Sequence, residues 1–299
     1  MHQKLKLYYN PFSGDKSFRY AVDACIHHFQ KAGYETTVFR SMANGDIEAN
    51  IAKTGKEYDA IVVSGGDGTI NIVANAMLKH EVACPLGIIP SGTANDFAAF
   101  LRIPAEPEGA AQIIARNNIL PIDMGQINGE QFFVNVCGAG LWTNISQQVD
   151  LTVKDTLGKL AYYLKGIEQL PNFVPFPVRI TNSKQTVDES IYLFIALNSA
   201  GTGGFEKIAP FASIHDGLLD FVAIRARPLH EIVVLFFKML TGSDFLNDIN
   251  VIHFQDRYIK IEALEQNPLF HETDIDGETG PKLPVEICVR PKAIRIFVP

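Results

Sequence analysis

The chain changes rhythm partway along. In its first part, apolar runs of strand length alternate with stretches of helical spacing. Residues 4–9 (KLKLYY) alternate, then turn apolar, and Asn10-Pro11 cuts them; the pattern predicts a strand closed by a turn. From Ser17 onward, Phe18, Val22, Cys25 and Phe29 recur at helical spacing, and Gly33 marks a stop. Residues 34–39 (YETTVF) predict a second strand. The continuous apolar run DAIVV (59–63) predicts a parallel strand covered on both faces. Residues 70–79 follow as a helix, PLGIIP (85–90) as another buried strand, and residues 94–101 as a further helix. Such alternation, sustained to about residue 123, predicts βαβ units around a parallel sheet. Loops at the carboxyl ends of such strands build the ligand site.

Beyond residue 125 the texture shifts. Short strand candidates appear at EQFFVNVC (130–137), PVRITN (177–182), SIYLFIALN (190–198), LLDFVAIRA (218–226), YIKIEA (258–263) and VEICVR (285–290), punctuated by Gly, Pro and Asn. Helix candidates lie at 156–169 and near 228–241. This part is expected to be mostly antiparallel β, so the fold class is α/β plus mainly β. The closing IRIFVP (294–299) suits an edge strand of either part.

Composition narrows the class. Of 299 residues, 47% are hydrophobic and 20% charged, the profile of a globular protein with a full core. The formal net charge of −7 argues against a nucleic-acid surface, which needs many exposed cations. Cys25, Cys84, Cys137 and Cys288 lie far apart without a CxxC or Cys/His metal spacing, and are expected to be reduced thiols in a cytosolic protein. The opening MHQKLKLYYNPFSG lacks the apolar core of a signal peptide. The run IVVLFFKML (232–240) is too short to span a bilayer. A protein neither secreted nor transmembrane is expected.

The candidate chemistry sits where three of the early strands end. Their loops are NPFSG (10–14), SGGDGT (64–69) and SGTAND (91–96). Glycine admits close approach of the backbone to a ligand, and turn amides followed by a helix N-terminus form a concave anion site. Ser13, Ser64, Thr69, Ser91 and Thr93 add hydroxyls. Together these loops suit a polyphosphate, although neither GxxxxGK[ST] nor a complete dinucleotide fingerprint is present. GAG (138–140) and GTGG (201–204) are too short to be fingerprints and are expected to be turns or bulges. Asp67 is an acid inside an anion cradle; Mg²⁺ bridging phosphate and carboxylate would remove the conflict. Asp96 and Asp123 are expected to end their segments on the same sheet edge, with helix capping and a turn as their simpler roles.

GGDGT (65–69), with NP.SG (10–14) before it and P.GT.NDFA (90–98) after it, resembles the diacylglycerol kinase catalytic domain. GFEKIAP.A...DGLLD (204–220) and DGE (276–278) look like later motifs of that family, so the resemblance covers almost the whole chain. It departs at Ser213 and His215 and at Ile70-Asn71-Ile72, where the family pattern carries other residues. The resemblance implies a Rossmann-like nucleotide-binding domain (1–125), a β-sandwich lipid domain (126–291) and a final strand (292–299) packed back on the first. It implies ATP contacts at Asn10, Pro11, Phe12, Ser13, Gly14, Ser41, Gly65, Gly66, Asp67, Gly68, Thr69, Asn71, Ile72, Thr93 and Asn95. It further implies a network of Asp67, Asp96 and Asp123 around Mg²⁺-bound waters, and a second, structural Mg²⁺ at Ser213, Asp216 and Leu218. Glu278 would be the general base, with Asp67 as its catalytic partner.

The implied reaction passes the γ-phosphate of ATP to a lipid hydroxyl, diacylglycerol first, in a cytoplasmic enzyme working transiently at the membrane face and resembling homodimers. Other acceptors stay open at this point: phosphatidylglycerol, a sphingoid base, an undecaprenol-like alcohol, or NAD. A nucleotide-binding regulator without turnover is a further alternative. Apolar residues for a lipid entrance would include Trp142, Tyr162, Tyr163 and Phe173.

Overall fold

The computed structural model describes residues 3–140, 174–200, 208–228, 231, 232, 234, 235, 238, 244–265 and 272–299. The helix expected at 156–169, the GTGG stretch and the four candidate entrance aromatics lie outside the described residues.

The first part is a doubly wound unit. Strands β1 (Gln3–Tyr9), β2 (Tyr34–Arg40), β3 (Ala60–Gly65) and β4 (Leu86–Pro90) pair in parallel in the spatial order β2-β1-β3-β4. Every residue of β3 and β4 is buried, as their unbroken apolar runs require. Helix α1 (Phe18–Lys31) packs against α5 (Pro107–Ala115), and α2 (Asp46–Thr54) against α3 (Asp67–Lys79). The short α4 (Asp96–Phe100) follows β4. Sequential strands run outward from β1 to β2, then return to the other side at β3. Between β1 and β3 the connections diverge, which opens a crevice at the carboxyl ends of the strands.

The second part is antiparallel. Strands β5 (Ile119–Ile127), β6 (Gln131–Phe133), β7 (Val136–Gly140), β8 (Phe176–Asn182), β9 (Thr186–Leu197), β10 (Leu219–Arg225), β11 (Val251–Asp256), β12 (Tyr258–Ala263), β13 (Glu272–Ile275), β14 (Glu278–Lys282) and β15 (Val285–Phe297) continue the sheet. Its main path runs β14-β13-β7-β9-β8-β12-β15-β4-β3-β1-β2. Glu231, Ile232, Val234, Leu235 and Lys238 are helical, within the span expected near 228–241. One hydrophobic cluster gathers β1, β3, β4 and the packed helices, and includes Ile294, Ile296 and Phe297. A second lies between the strands of the later part, around Phe133, Phe194, Phe221 and Ile287. All four cysteines are free thiols; Cys25 and Cys137 are buried.

Four sequence expectations are corrected. The closing residues are not an edge: VEICVR and IRIFVP form one long strand, β15, seated between β12 and β4 on the sheet path, with β5 alongside it. GAG is neither a turn nor a bulge but the end of β7, in regular register with β9. EQFFVNVC is two strands, β6 and β7, broken at Val134-Asn135. Asp123 does not end a segment; it lies inside β5 and is buried.

The last two corrections have one physical cause, the need of every buried N–H for an acceptor. Opposite Asp123, β15 carries an irregularity between Arg290 and Ile294, where Lys292 adopts φ 51°. The Lys292 N–H released from the ladder donates to Asp123 Oδ1 at 2.7 Å, and the Gly217 N–H donates to Oδ2 at 2.7 Å. The Asp123 N–H donates to the Ile214 carbonyl at 2.7 Å. Asp123 thus ties β5, the irregularity in β15 and the 213–218 loop at one point. Asp123→Ala strands two backbone donors and is expected to cost about 2–5 kcal/mol. Urea unfolding checks this: the midpoint drops with the slope unchanged, and Asp123→Asn loses less.

Candidate nucleotide and catalytic site

The three loops converge. The Asn10 N–H donates to the Ser64 carbonyl at 3.2 Å, and the Ser91 N–H to the Gly65 carbonyl at 3.0 Å. The Ser64 hydroxyl donates to that of Ser91 at 2.9 Å. The loops touch backbone to backbone: a Cβ on Gly66 would lie 3.1 Å from Gly92 Cα, and a Cβ on Gly92 would collide with Gly66 Cα. A Cβ on Gly14 would likewise strike the Ser91 carbonyl. Two of these glycines are therefore demanded by the meeting of the second and third loops.

Within the first loop, Asn10 Oδ1 accepts the Phe12 N–H at 3.0 Å; Pro11 is buried and Phe12 stands 66% exposed. Ser13 is half-buried and Gly14 exposed. In the second loop, Gly66 precedes α3, whose first turn receives no side-chain cap. The opening amides of a thirteen-residue helix are thus directed at the crevice, the arrangement that receives phosphate oxygens. Thr69 folds back against Gly65, Ile72 is exposed, and Thr93 is exposed on the third loop.

Several expected contacts have other partners. Ser41 donates its hydroxyl to Asp46 Oδ1 at 2.8 Å, at the start of α2. Asn95 accepts the Gly92 N–H at 2.8 Å and donates to the Gly92 carbonyl at 2.9 Å, so its amide shapes the third loop. Asn71 is buried; its amide nitrogen donates to Asp276 Oδ2 at 2.6 Å and to the Phe132 carbonyl at 3.1 Å.

Asp67 joins two of the loops. Its Oδ2 accepts the Asp96 N–H and its Oδ1 the Phe97 N–H, both at 3.0 Å, so it caps α4, not its own helix. Asp67 and the Asp96 backbone are therefore adjacent, while the Asp123 carboxylate is held by Gly217 and Lys292. In the 213–218 loop, Asp216 Oδ1 accepts the Leu218 N–H at 3.0 Å and Ser213 Oγ the His215 N–H at 3.4 Å. Among the described residues, no group of three or more His, Cys, Asp and Glu side chains is placed to hold a metal. The donor set instead suits Mg²⁺ carried on phosphates and touched by one or two carboxylates. Each Asp67 oxygen accepts one of the Asp96 and Phe97 N–H groups.

Glu278 comes from the far end of the chain to the same place. A Cβ on Gly68 would lie 3.6 Å from Glu278 Oε1. The residue opens β14, directly after the two-residue turn Asp276-Gly277 that joins it to β13. Both turn residues have positive φ, 50° and 89°, the type I′ geometry that Asp-Gly favours. Glu278 is exposed, so its carboxylate faces the crevice at the start of α3.

Residues 4–127 match the family model of the diacylglycerol kinase catalytic domain, and residues 135–298 that of the YegS C-terminal NAD kinase beta sandwich-like domain. A diacylglycerol kinase of Bacillus subtilis (strain 168) is 36% identical over 99% of this chain and 97% of its own. One of Staphylococcus carnosus (strain TM300) is 30% identical over 100% of this chain and 96% of its own. The chain belongs to the diacylglycerol kinase family. A crystal structure of a Bacillus anthracis str. Sterne chain assigned to the diacylglycerol kinases superposes with a TM-score of 0.81 at 27% identity, covering 99% of this chain and 97% of that one.

One residue of the kinase escaped the reading of the sequence. Asp276, within the DGE motif, directs its carboxylate inward. Oδ2 accepts the Val134 N–H at 2.7 Å as well as the Asn71 amide; Oδ1 accepts the N–H groups of Asn135 and Val136, each at 2.9 Å. These are the N–H groups at the break between β6 and β7. Burial pushes the Asp276 carboxyl up to about 6, against the pull of those four donors. The available signal was the Asp-Gly pair itself, which marks a turn but not the inward use of its side chain.

The loop junction gives a direct test in the kinase. Gly92→Ala separates the second and third loops without touching either core. It is expected to weaken ATP binding at least about tenfold, or about 1.4 kcal/mol, by calorimetric titration, with circular dichroism unchanged.

Proposed function

We propose that this kinase transfers the γ-phosphate of ATP to the free hydroxyl of diacylglycerol, giving phosphatidic acid. The observation that carries the reading is the position of the Glu278 carboxylate beside Gly68. A carboxylate in that place is in reach of an acceptor hydroxyl brought to the phosphate end of ATP. The names of the relatives supply the lipid. The division of labour follows the sequence reading: residues 1–125 with the final strand receive the nucleotide, and residues 126–291 receive the lipid.

Phosphoryl transfer asks for alignment and charge neutralisation more than for covalent chemistry. In this reading, the amides opening α3 and the 10–14 and 91–95 loops hold the triphosphate. Asp67 keeps α4 and the third loop in register and faces the cation that travels with ATP. Mg²⁺ bound there supplies screening of the charge on the transferring group. Glu278 takes the hydroxyl proton as the oxygen attacks phosphorus, and ADP leaves. The acylated acceptor resides in a bilayer, so the enzyme works at the membrane face as a peripheral protein. No helix among the described residues is long and apolar enough to cross one.

The acceptor is settled by transfer of label from [γ-³²P]ATP in mixed micelles containing diacylglycerol, phosphatidylglycerol, a sphingoid base or NAD. Label in phosphatidic acid is expected; preferential labelling of another acceptor overturns the assignment. In the same assay, Glu278→Gln is expected to fold, bind ATP and lose about 10²–10⁴-fold in turnover. A near-normal rate removes Glu278 as the base. Asp67→Ala is expected to stay inactive across a Mg²⁺ titration, and full recovery at high Mg²⁺ reduces Asp67 to a tuner of metal affinity.

A further inference from the structure

Asp276 does more than close a turn, and its fourth hydrogen bond is the telling one. Three donors, the N–H groups of Val134, Asn135 and Val136, belong to a single backbone break, and one carboxylate satisfies them. The fourth, from Asn71, comes from a different element, the helix that begins with the nucleotide loop. Asn71 stands one helical turn after Gly68, so the two share a face of α3. Asp276 stands two residues before Glu278. A bond and a close approach therefore run side by side between α3 and the turn: Asn71 bonds to Asp276, and Glu278 Oε1 lies near Gly68.

The turn is tied to β7 as well: the Asp276 N–H donates to the Val136 carbonyl at 3.0 Å. A Cβ on Gly277 would meet nothing within 4 Å. The Gly277 N–H donates to Asp274 Oδ1 at 2.9 Å, within the turn itself. Helix α3 is fastened to the same β6–β7 region beside Asn71, so the Asn71 bond is what joins helix and turn directly. Asn75 Oδ1 accepts the Phe132 N–H at 2.8 Å, and its amide nitrogen donates to the Phe132 carbonyl at 2.9 Å and to Asn71 Oδ1 at 2.8 Å.

We propose that Asn71 and Asp276 act as positioning residues, a latch that sets the Glu278 carboxylate against the nucleotide loop and transmits the seating of that loop to the catalytic turn. The latch rests on the reading of Glu278 as the base. It also reassigns Asn71, expected from the sequence to touch ATP, to alignment of the base.

The test compares Asn71→Ala, Asp276→Asn and Glu278→Gln in the full chain, measuring kcat, the KM for ATP and thermal melting. Asn71→Ala leaves Asp276 Oδ2 paired with Val134, so it removes the latch without stranding a buried charge. A displacement of about 1 Å at a reacting group costs on the order of 10²-fold. Asn71→Ala is therefore expected to lower kcat by about 10–100-fold, with the KM for ATP within about threefold and melting lowered by only a few degrees, since Asn71 also bonds to Phe132 and Asn75. Asp276→Asn is expected to lower kcat at least as far. If Asn71→Ala keeps kcat within about twofold while Glu278→Gln is inactive, the latch is overturned and the base stands. If Asn71→Ala raises the KM for ATP about tenfold with kcat intact, Asn71 is a nucleotide contact and the latch is again overturned. If Glu278→Gln turns over normally, the base reading fails first and the latch with it. Should Asp276→Asn not fold, Asn71→Ala decides alone.

Discussion

A backbone N–H that leaves its ladder inside a protein must find another acceptor, and in this chain two buried aspartates meet that demand. Asp276 takes three successive amides where β6 ends and β7 begins; Asp123 takes the amide released by the irregularity in β15. Each break lies where the later, antiparallel strands meet the earlier unit. An unpaired buried amide costs about 1–3 kcal/mol, so each carboxylate offsets a substantial penalty at its break. The continuous sheet can change direction at these places because acid side chains stand in for missing strand partners.

The same economy shapes the site. The crevice is built from backbone groups: amides at the start of α3, and loops so close that side chains on their glycines would collide. Such a surface attracts anions regardless of their identity. Two acids stand beside it. Asp67 is committed on both oxygens to amides of α4, which orients it, and Glu278 is carried in on a tight turn from the other end of the chain. A carboxylate poised beside an anion cradle is costly unless a cation or a transferable proton intervenes, and phosphoryl transfer provides both.

The sequence disclosed what is local. Strands β3 and β4 were readable because a parallel strand covered on both faces must be apolar throughout, and β1 from its alternation cut by Asn10-Pro11. Helices α2 and α5 were not: α2 buries only Ile47 and Ile51, and α5 is rich in alanine, although Pro107 at its start was a usable signal. The division of EQFFVNVC was invisible because its cause, Asp276, lies 140 residues from Val136. Asp123 was misplaced for the same reason, since its partners Gly217 and Lys292 are remote in the chain. The three loops could be found from their glycines. The role expected of Glu278 comes only from resemblance to a family, and the Asn71 bond to Asp276 spans 205 residues, beyond the reach of local patterns.

The seat of β15 beside β4 has a bearing on how the molecule is made. Along the sheet path, β4 is bounded by β3, which is close to it in the chain, and by β15, roughly two hundred residues later. On the ribosome, the α/β unit is synthesised long before the strand that completes it, and the flank of β4 waits with open amides and carbonyls. Such a flank invites pairing with a neighbouring nascent chain. This later strand is thus the closing stitch of the earlier unit, and a chain released before it is made would carry an adhesive border instead of a finished one.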